Sequence, residues 1–222
     1  MVIKTVKKIT SWSYSRYACY SECPAKAKYK FIDKLPEPSA PALERGNYVH
    51  KIAEDFSKGI IKKIPMELAK FREQFLELKK SKPMVEESWC FKQDWSGTTW
   101  DDWTGCWLRV KVDAACFEDT TLHIIDHKTG KKRDGYEDQL GLYALSGFLK
   151  FPHVKTVYTH LWYLDSGDHV EMLYAADQTK VLQKGWEKKV QPMLNDTTFA
   201  PRPGNACRFC HFSKAKNGPC KY

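Results

Sequence analysis

The stretch Arg109–Lys131, RVKVDAACFEDTTLHIIDHKTGK, contains two runs of β-branched, aromatic and apolar residues separated by Glu118-Asp119. Runs of this composition with partial alternation are typical of strands, and the acidic pair between them suits a tight turn. We therefore predict that Trp107–Phe117 and Thr121–His127 form an antiparallel hairpin, around which the rest of the fold is arranged.

Each predicted strand carries an acidic residue. Asp113 ends the run RVKVD, while Asp126 and Lys128 lie two positions apart on the second strand and therefore point to the same face. Pairing about the turn would place Asp113 nearly opposite Asp126. Two adjacent carboxylates repel unless a cation lies between them, and Mg²⁺ takes such oxygen ligands. Glu86 and Glu87 on the preceding strand are further acidic candidates. The alternative is an ordinary surface ion pair, which contributes a fraction of a kcal/mol.

Working outward from the hairpin, the pattern divides the chain into three parts of one domain, residues 1–222. Residues 1–80 are predicted to be mainly helical, residues 84–175 to form a sheet core, and residues 176–222 to form a helix and a Cys-rich tail. The predicted helices cover residues 13–31 with a break at Pro24, 43–56, 66–80, 136–149 and 178–194. The additional predicted strands cover residues 85–91, 154–164 and 169–175. The predicted fold class is α/β, with a mixed central sheet flanked by helices.

Composition indicates a folded globule, and its positive charge fits either a polyanionic partner or simple solubility. The 222 residues are 42% hydrophobic and 14% aromatic, and the net charge is +9. No apolar run reaches the eighteen or so residues of a membrane span, so we expect no membrane partner. The start, MVIKTVKKIT, has no apolar core of signal-peptide length, which favours an intracellular, cytoplasmic location.

Two predicted helices carry polar residues that could reach the hairpin. Gln139 and Tyr143 are four residues apart on the helix after the second strand and so share one face. Arg45 and His50 lie on an amphipathic helix in the pattern RG-x-x-x-H, where an inward-pointing imidazole could reach a metal. A single histidine in such a position is more often an ordinary surface or core residue.

Taken together, these motifs resemble those of the PD-(D/E)XK nuclease superfamily, and most closely its RecB-type exonuclease branch. The likeness runs from about Ser13 to Cys220. The motifs, in chain order, are RG-x-x-x-H, Asp113, Asp126-x-Lys128 and Gln139-x-x-x-Tyr143. The resemblance implies a restriction-endonuclease-like core and hydrolysis of DNA phosphodiester bonds with Mg²⁺ or Mn²⁺.

The resemblance also implies a role for each matching residue. The implied side-chain metal ligands are His50, Asp113 and Asp126, with the backbone carbonyl of His127 completing the protein shell. The implied catalytic residues are Lys128 as the catalytic lysine, Asp113, Asp126, and Gln139 with Tyr143, which would orient the lysine, the metal shell or the scissile phosphate.

Cysteines near both ends of the chain have the spacing of a metal site. Cys207-x-x-Cys210 is followed by Cys220, and Cys23 is the natural fourth ligand, although Cys19 competes with it. The resemblance implies a [4Fe–4S] cluster bound by one N-terminal and three C-terminal cysteines. Four thiolates suit Zn²⁺ equally well, and His211 would favour zinc if it replaced one thiolate. The remaining cysteines, Cys90, Cys106 and Cys116, are predicted to be buried and inert.

Several basic residues are predicted to bind DNA. Lys131, Lys132 and Arg133 directly follow the predicted catalytic strand, and Arg45 belongs to the RG-x-x-x-H motif. The tryptophan-rich stretch 95–107 reads as an exposed loop.

We expect a metal-dependent DNA exonuclease acting in recombination, repair or phage DNA processing. Its substrate would be DNA that is single-stranded or has free ends, and a helicase, a recombinase or another protein is a candidate partner. The alternatives are a structure- or site-specific endonuclease on the same fold, and a non-catalytic nucleic-acid-binding module.

Overall fold

A six-stranded mixed sheet forms the centre of the computed structural model, which describes residues 8–132 and 134–222. The sheet order is β2-β1-β3-β4-β5-β6; β4 and β5 are parallel, and the other neighbouring strands are antiparallel. This arrangement confirms the predicted fold class. The strands are β1 (Met84–Phe91), β2 (Gly97–Thr98), β3 (Leu108–Glu118), β4 (Thr121–Lys128), β5 (Thr156–Tyr163) and β6 (Asp168–Ala175).

Helices precede, interrupt and follow the strands, as the sequence predicts. They are α1 (Tyr14–Glu22), α2 (Pro24–Ala27), α3 (Pro41–Ser57), α4 (Arg72–Lys80), α5 (Glu137–Lys150) and α6 (Thr179–Asn195). Pro24 begins α2, where its missing N–H leaves no helical hydrogen bond unmade. A π-helical turn, Lys28–Ile32, continues the N-terminal helical region.

The prediction of one helix over residues 66–80 is only half right. The segment Met66–Phe71 is a 3-10 helix, and α4 begins at Arg72. Leu68 and Phe71, the two buried residues of that turn, are three positions apart, the spacing that a 3-10 helix places on one side. The short strand β2 was not predicted, since two residues carry no periodic pattern.

The β3–β4 hairpin has the predicted pairing. Glu118 pairs with Thr121, so Asp119 and Thr120 form a two-residue turn, and Asp119 takes φ +51°. Aspartate tolerates this left-handed conformation better than most residues and is common in such hairpin turns. The same register pairs Ala114 with Ile125.

The chain divides into two compact units. One contains residues 40–184, and therefore the whole sheet with α3, α4 and α5; the other contains the described residues up to Ser39 together with Gly185–Tyr222. The single-domain organisation stays a prediction.

Both faces of the sheet in the larger unit are covered. On one face, Ile125 and Trp162 pack with buried side chains of α3, α4 and the 3-10 turn. On the other face, α5 approaches so closely that a Cβ added at Gly147 would lie 2.9 Å from Leu122 and 3.2 Å from Ile124. The strand residues of the hairpin therefore face a helix on each side.

Aromatic stacking holds the smaller unit together. The buried indole of Trp12 stacks on Trp186 with ring centroids 5.2 Å apart, and Tyr17 meets Trp186 edge-on at 5.2 Å. Tyr29 packs against Phe212 at 5.4 Å, which brings the C-terminal tail to the N-terminal helices. In the part of the chain that the structure describes, no helix has the length and apolar character needed to cross a membrane.

The close approach of α5 to the sheet predicts a position-specific effect of substitution. Gly147→Leu should lower the free energy of unfolding by about 1–3 kcal/mol, because the new side chain must displace Leu122 and Ile124. Gly185→Leu in α6 is the matched control; an added Cβ there meets nothing within 4 Å, so higher helix propensity should make it neutral or stabilising. Urea unfolding of both variants measures the difference, and equal effects would contradict this packing.

Candidate active site

Three acidic residues lie side by side on adjacent strands of the larger unit. The β1–β3 pairs on either side, Val85 with Ala114 and Glu87 with Val112, put Glu86 opposite Asp113, and continuing the β3–β4 register by one residue beyond Ala114 and Ile125 puts Asp113 opposite Asp126. Glu86 has φ +59°, a left-handed conformation that costs a non-glycine residue free energy and is often found at functional sites. The predicted proximity of the two hairpin carboxylates is therefore present, with Glu86 extending the row.

Asp113 is held by groups from α3 and β4. Its Oδ2 accepts a hydrogen bond from the backbone N–H of His127 at 2.7 Å and lies 3.3 Å from Nδ1 of His50. Asp113 and His50 also line an open cavity of about 310 Å³ with Glu86 and Lys111, whose side chains form an ion pair at 2.5 Å. The His50 imidazole therefore reaches Asp113, and its role as a metal ligand stays a prediction.

Asp126 is held by α5 and by its own strand. Tyr143 donates a hydrogen bond to its Oδ1 at 2.6 Å, and the Gln139 amide nitrogen donates to the same oxygen at 3.3 Å and to the Tyr143 oxygen at 2.9 Å. The Lys128 ammonium lies 2.6 Å from Oδ2. The helix spacing of Gln139 and Tyr143 thus directs both side chains to the buried carboxylate.

The two carboxylates have pKa values shifted in opposite directions. Burial raises the pKa of Asp126, and the negative charge of Asp113 adds to this, although Lys128 opposes it. Burial also raises the pKa of Asp113, but the hydrogen bond with His50, the neighbouring imidazoles of His127 and His50, and the backbone N–H of His127 outweigh it and lower the pKa overall. Burial lowers the pKa of Lys128, yet the attraction of Asp126 outweighs this and raises it, so Lys128 is protonated at neutral pH in this arrangement.

His127 offers its imidazole, which the sequence interpretation did not consider. The ring is buried between aromatic groups, 5.1 Å from the Phe75 ring and 5.7 Å from that of Trp162. Burial lowers its pKa to about 4, so the ring is neutral at physiological pH. One potential ligand atom each from His50, Asp113 and His127 lies within 4.8 Å of the other two. The backbone carbonyl of His127, implied by the resemblance, stays a prediction.

These donors fit a divalent cation. Ionised carboxylates and neutral imidazoles are the ligand forms that such ions require, and the charge of a cation would relieve the repulsion between Asp113 and Asp126. The described arrangement puts Asp113 with His50 and His127, whereas Asp126 contacts Lys128, Tyr143 and Gln139. Both carboxylates nevertheless share one region of the sheet.

Arg45 contacts a loop beside the site. Its guanidinium pairs with Oδ1 of Asp165 at 2.5 Å, and Oδ2 of Asp165 accepts the backbone N–H of Gly130 at 2.8 Å. Gly130 has φ +84°, which glycine adopts without strain. Asp165 thus links α3 to the turn that follows Lys128, a role that the short segment DSGD did not indicate.

Only some of the basic and aromatic side chains predicted to bind DNA are exposed to solvent. Lys131 and Lys132 are exposed, while Arg133 lies outside the described residues. Of the tryptophan-rich stretch, Trp95 and Trp107 are buried. Trp100 and Trp103 are 43% and 82% exposed, and the Arg109 guanidinium lies 4.9 and 5.3 Å from their ring centroids. The prediction of an exposed loop is therefore right for the middle of the stretch and wrong for its ends, whose indoles pack edge-to-face at 5.1 Å.

The end cysteines all belong to the smaller unit, and none of the eight forms a disulfide. Lys26 lies within electrostatic range of Cys19 and Cys210, and Tyr29 within range of Cys23 and Cys220. The fold therefore brings N-terminal and C-terminal thiols into one neighbourhood, and a metal site shared by them stays a prediction.

The long gap between Cys210 and Cys220 is closed by a compact loop. Gly218 passes so near Phe212 that an added Cβ would lie 2.3 Å from its backbone, and the N–H of Cys220 donates to the Phe212 carbonyl at 2.9 Å. The Cys220 backbone is thus hydrogen-bonded to a residue that lies only two positions after Cys210.

The comparisons with known proteins identify the family. A model of the PD-(D/E)XK nuclease superfamily matches residues 11–215, so the chain belongs to this superfamily. Its members are metal-dependent nucleases, and DNA is the substrate that the fold implies. No curated protein sequence matches the chain significantly.

Two solved structures share the fold at low sequence identity. The protein SSO0001 is 14% identical with a TM-score of 0.51, covering 99% of this chain and 91% of its own. A protein from Eubacterium rectale that carries a provisional description as an exonuclease is 11% identical with a TM-score of 0.53, covering 91% of this chain and 87% of its own.

The neutral, buried state of His127 predicts a pH effect on stability. Between pH 6.5 and about 4 the unfolded chain takes up a proton at this residue that the folded chain does not, so the wild type loses stability as the pH falls through this window. The decrease in the free energy of unfolding between pH 6.5 and about 4 should therefore be smaller by about 3 kcal/mol in His127→Phe than in the wild type.

Urea unfolding at stepped pH in the presence of a chelator measures the effect. His153→Phe, at an exposed histidine of the same unit, is the control and should keep the wild-type pH dependence. An unchanged slope in His127→Phe would show that the imidazole is not held neutral.

Proposed function

We propose that this nuclease is an exonuclease of the RecB-type branch that digests DNA from free ends. The observation that carries the proposal is the pair of carboxylates, Asp113 and Asp126, on adjacent strands beside the ammonium of Lys128. The fold shared with the Eubacterium rectale protein, described provisionally as an exonuclease, is consistent with it. Such a reaction fits recombination, repair or phage DNA processing, in which a helicase or recombinase would supply the DNA ends.

We assign the divalent ion, Mg²⁺ or Mn²⁺, to Asp113 and Asp126, with His50 and either the carbonyl or the imidazole of His127 as further ligands. When bound, the ion would neutralise phosphate oxygens and acidify the attacking water. In its absence the two carboxylates repel each other, and the charge of Asp113 adds to the effect of burial in raising the pKa of Asp126.

The remaining residues stabilise the charge of the phosphate or fix the orientation of other site residues. Lys128 is protonated and half-buried, so its ammonium places a positive charge where the phosphate gains negative charge. Tyr143 and Gln139 fix the orientation of Asp126 through their hydrogen bonds to Oδ1. Arg45 is exposed and pairs with Asp165, and so we infer that it positions the turn after Lys128 in addition to facing DNA.

The DNA path is proposed from the strand directions. β3 begins at the end of the sheet where β4 and β5 finish, because β3 is antiparallel to β4 and β4 is parallel to β5. Trp100, Trp103 and Arg109 therefore lie at the same end as Lys128. Exposed indoles stack on unpaired bases in proteins that bind single strands, which supports a substrate with unpaired ends.

Removing the lysine or the second carboxylate tests the catalytic assignment. Lys128→Ala and Asp126→Asn should each reduce Mg²⁺-dependent cleavage of end-labelled linear DNA about 10²-fold or more, while DNA binding is largely retained. Lys63→Ala, at an exposed lysine of the same unit, is the control for charge and should keep wild-type activity. Wild-type cleavage rates in either active-site variant would refute the assignment.

Closed circular DNA separates exonuclease from endonuclease action. The wild-type protein should digest linear DNA and leave the covalently closed circle intact. Nicking or linearisation of the circle at a comparable rate would replace the exonuclease proposal with the endonuclease alternative on the same fold.

We further propose that Cys23, Cys207, Cys210 and Cys220 bind a [4Fe–4S] cluster. The Cys23 sulfur accepts the backbone N–H of Arg202 at 3.4 Å, a contact of the kind that tunes cluster thiolates. Burial raises the pKa of Cys19 to about 11, which disfavours the thiolate and makes Cys19 the weaker candidate. Among residues 8–132 and 134–222, no three cysteine sulfurs lie within 4.8 Å of one another, whereas one zinc ion holds thiolates about 3.8 Å apart.

Protein purified without oxygen should be brown, absorb near ~400 nm and contain iron. Cys23→Ser should lose most of the iron and colour, whereas Cys19→Ser, four residues earlier in the same unit, should keep both. A colourless wild-type protein with stoichiometric zinc would overturn the cluster while leaving the nuclease assignment intact.

A further inference from the structure

Three histidines form a row across the sheet, and none of them is among the nuclease-site residues described above. Nδ1 of His123 on β4 lies 3.1 Å from Nε2 of His160 on β5, and Nδ1 of His160 lies 3.1 Å from Nε2 of His169 on β6. The rings stack with centroids 5.4 and 5.3 Å apart. None of the three matches a motif of the nuclease family.

A carboxylate joins the row at β6. Glu171 lies two positions after His169, so both side chains stand on the same face of the strand. Its Oε2 is 3.3 Å from Nδ1 of His160, which pairs with Glu171 across the β5–β6 ladder. One potential ligand atom each from His160, His169 and Glu171 lies within 4.8 Å of the other two.

Without a cation, two neighbours must share one nitrogen of His160. Nδ1 of His160 carries either one proton or one lone pair, and it faces both an imidazole nitrogen and a carboxylate oxygen at hydrogen-bond distance. A cation at the point where the three groups meet would satisfy all of them. Metal–nitrogen bonds of 2.0–2.1 Å in a tetrahedral site separate two ligands by about 3.3 Å, close to the spacings found here.

The opposite edge of the His160 ring has the partner that a metal-bound histidine needs. Its Nε2 can donate to Nδ1 of His123, which leaves the Nδ1 lone pair directed at His169 and Glu171. His123 in turn lies 3.6 Å from Glu118 through its own Nε2. This chain of contacts would hold the His160 ring in the tautomer and orientation of a ligand.

The surroundings favour a cation although the whole chain is basic. A cavity of about 560 Å³ is lined by His123 and His160 and also by three acidic residues, Glu73, Glu77 and Glu118. His169 and Glu171 are exposed on the last strand of the sheet, so an ion can enter and keep a water ligand. Burial keeps the His160 imidazole neutral by lowering its pKa to about 3, and the neutral ring is the form that binds metal.

We propose that His160, His169 and Glu171 form a second metal site for a borderline divalent ion of the zinc class, separate from the nuclease centre. Two imidazoles and one carboxylate suit Zn²⁺, Co²⁺ or Ni²⁺ better than Mg²⁺, which prefers oxygen ligands. The bound ion would cross-link β5 to the edge strand β6.

The test is the zinc content of tag-free protein equilibrated with buffered Zn²⁺. The double variant His169→Gln/Glu171→Gln should bind one zinc ion fewer per chain than the wild type. Both residues are exposed, so the variant should fold, which circular dichroism checks. His153→Gln, at an exposed histidine outside the row, is the matched control and should bind as much zinc as the wild type.

Zinc bound elsewhere is distinguished by its position. Anomalous diffraction from wild-type crystals soaked in Zn²⁺ should show an ion between His160, His169 and Glu171. Equal zinc content in the double variant and the wild type, or anomalous peaks confined to the carboxylate and cysteine sites, would overturn the proposal. Mg²⁺-dependent nuclease activity of the double variant should equal that of the wild type, so this result is independent of the proposed nuclease function.

Discussion

The buried carboxylate of Asp126 is the constraint on which the site depends. It lies on a strand covered by α5, and it is kept there by the ammonium of Lys128 and by hydrogen bonds from Tyr143 and Gln139. A buried ion of this kind is tolerated only with such partners, since leaving a charge unpaired costs several kcal/mol. The β4 strand, the helix after it and the hairpin before it are therefore arranged around one acidic group.

The register of the β3–β4 hairpin determines which residues of β3 lie near Asp126. A slip of one residue between β3 and β4 would turn Asp113 to the other face and separate it from Asp126. The two-residue turn at Asp119 sets that register, and α3 then brings His50 to the first carboxylate from the opposite side. The active centre thus joins elements that are far apart in the sequence but adjacent in the sheet.

Much of this arrangement was predictable because local patterns agreed with the global fold. Alternation identified the hairpin, and four-residue spacing placed Gln139 and Tyr143 on one helix face. The ion pair of Arg45 with Asp165 was not predictable, because it joins residues 120 positions apart through a loop without periodicity. The imidazole of His127 was overlooked because strand alternation places it on the face of β4 opposite Asp126. Only the structure shows that Asp113 lies near both this imidazole and His50 of α3.

The histidine row also could not be predicted from local sequence patterns. His123, His160 and His169 have no informative spacing along the chain, and the parallel pairing of β4 with β5 is what makes neighbours of the first two. By contrast, the cysteine spacing did suggest that residues from both chain ends form one site. The compact loop before Cys220 could not be predicted, because it depends on the close approach of Gly218 to the Phe212 backbone.

Anomalous diffraction from crystals soaked in Mn²⁺ locates the ion of the active site. We expect it about 2.1 Å from carboxylate oxygens of both Asp113 and Asp126, with Lys128 nearby. A well-ordered site in which those carboxylates point apart with no ion between them would show that they do not share a metal.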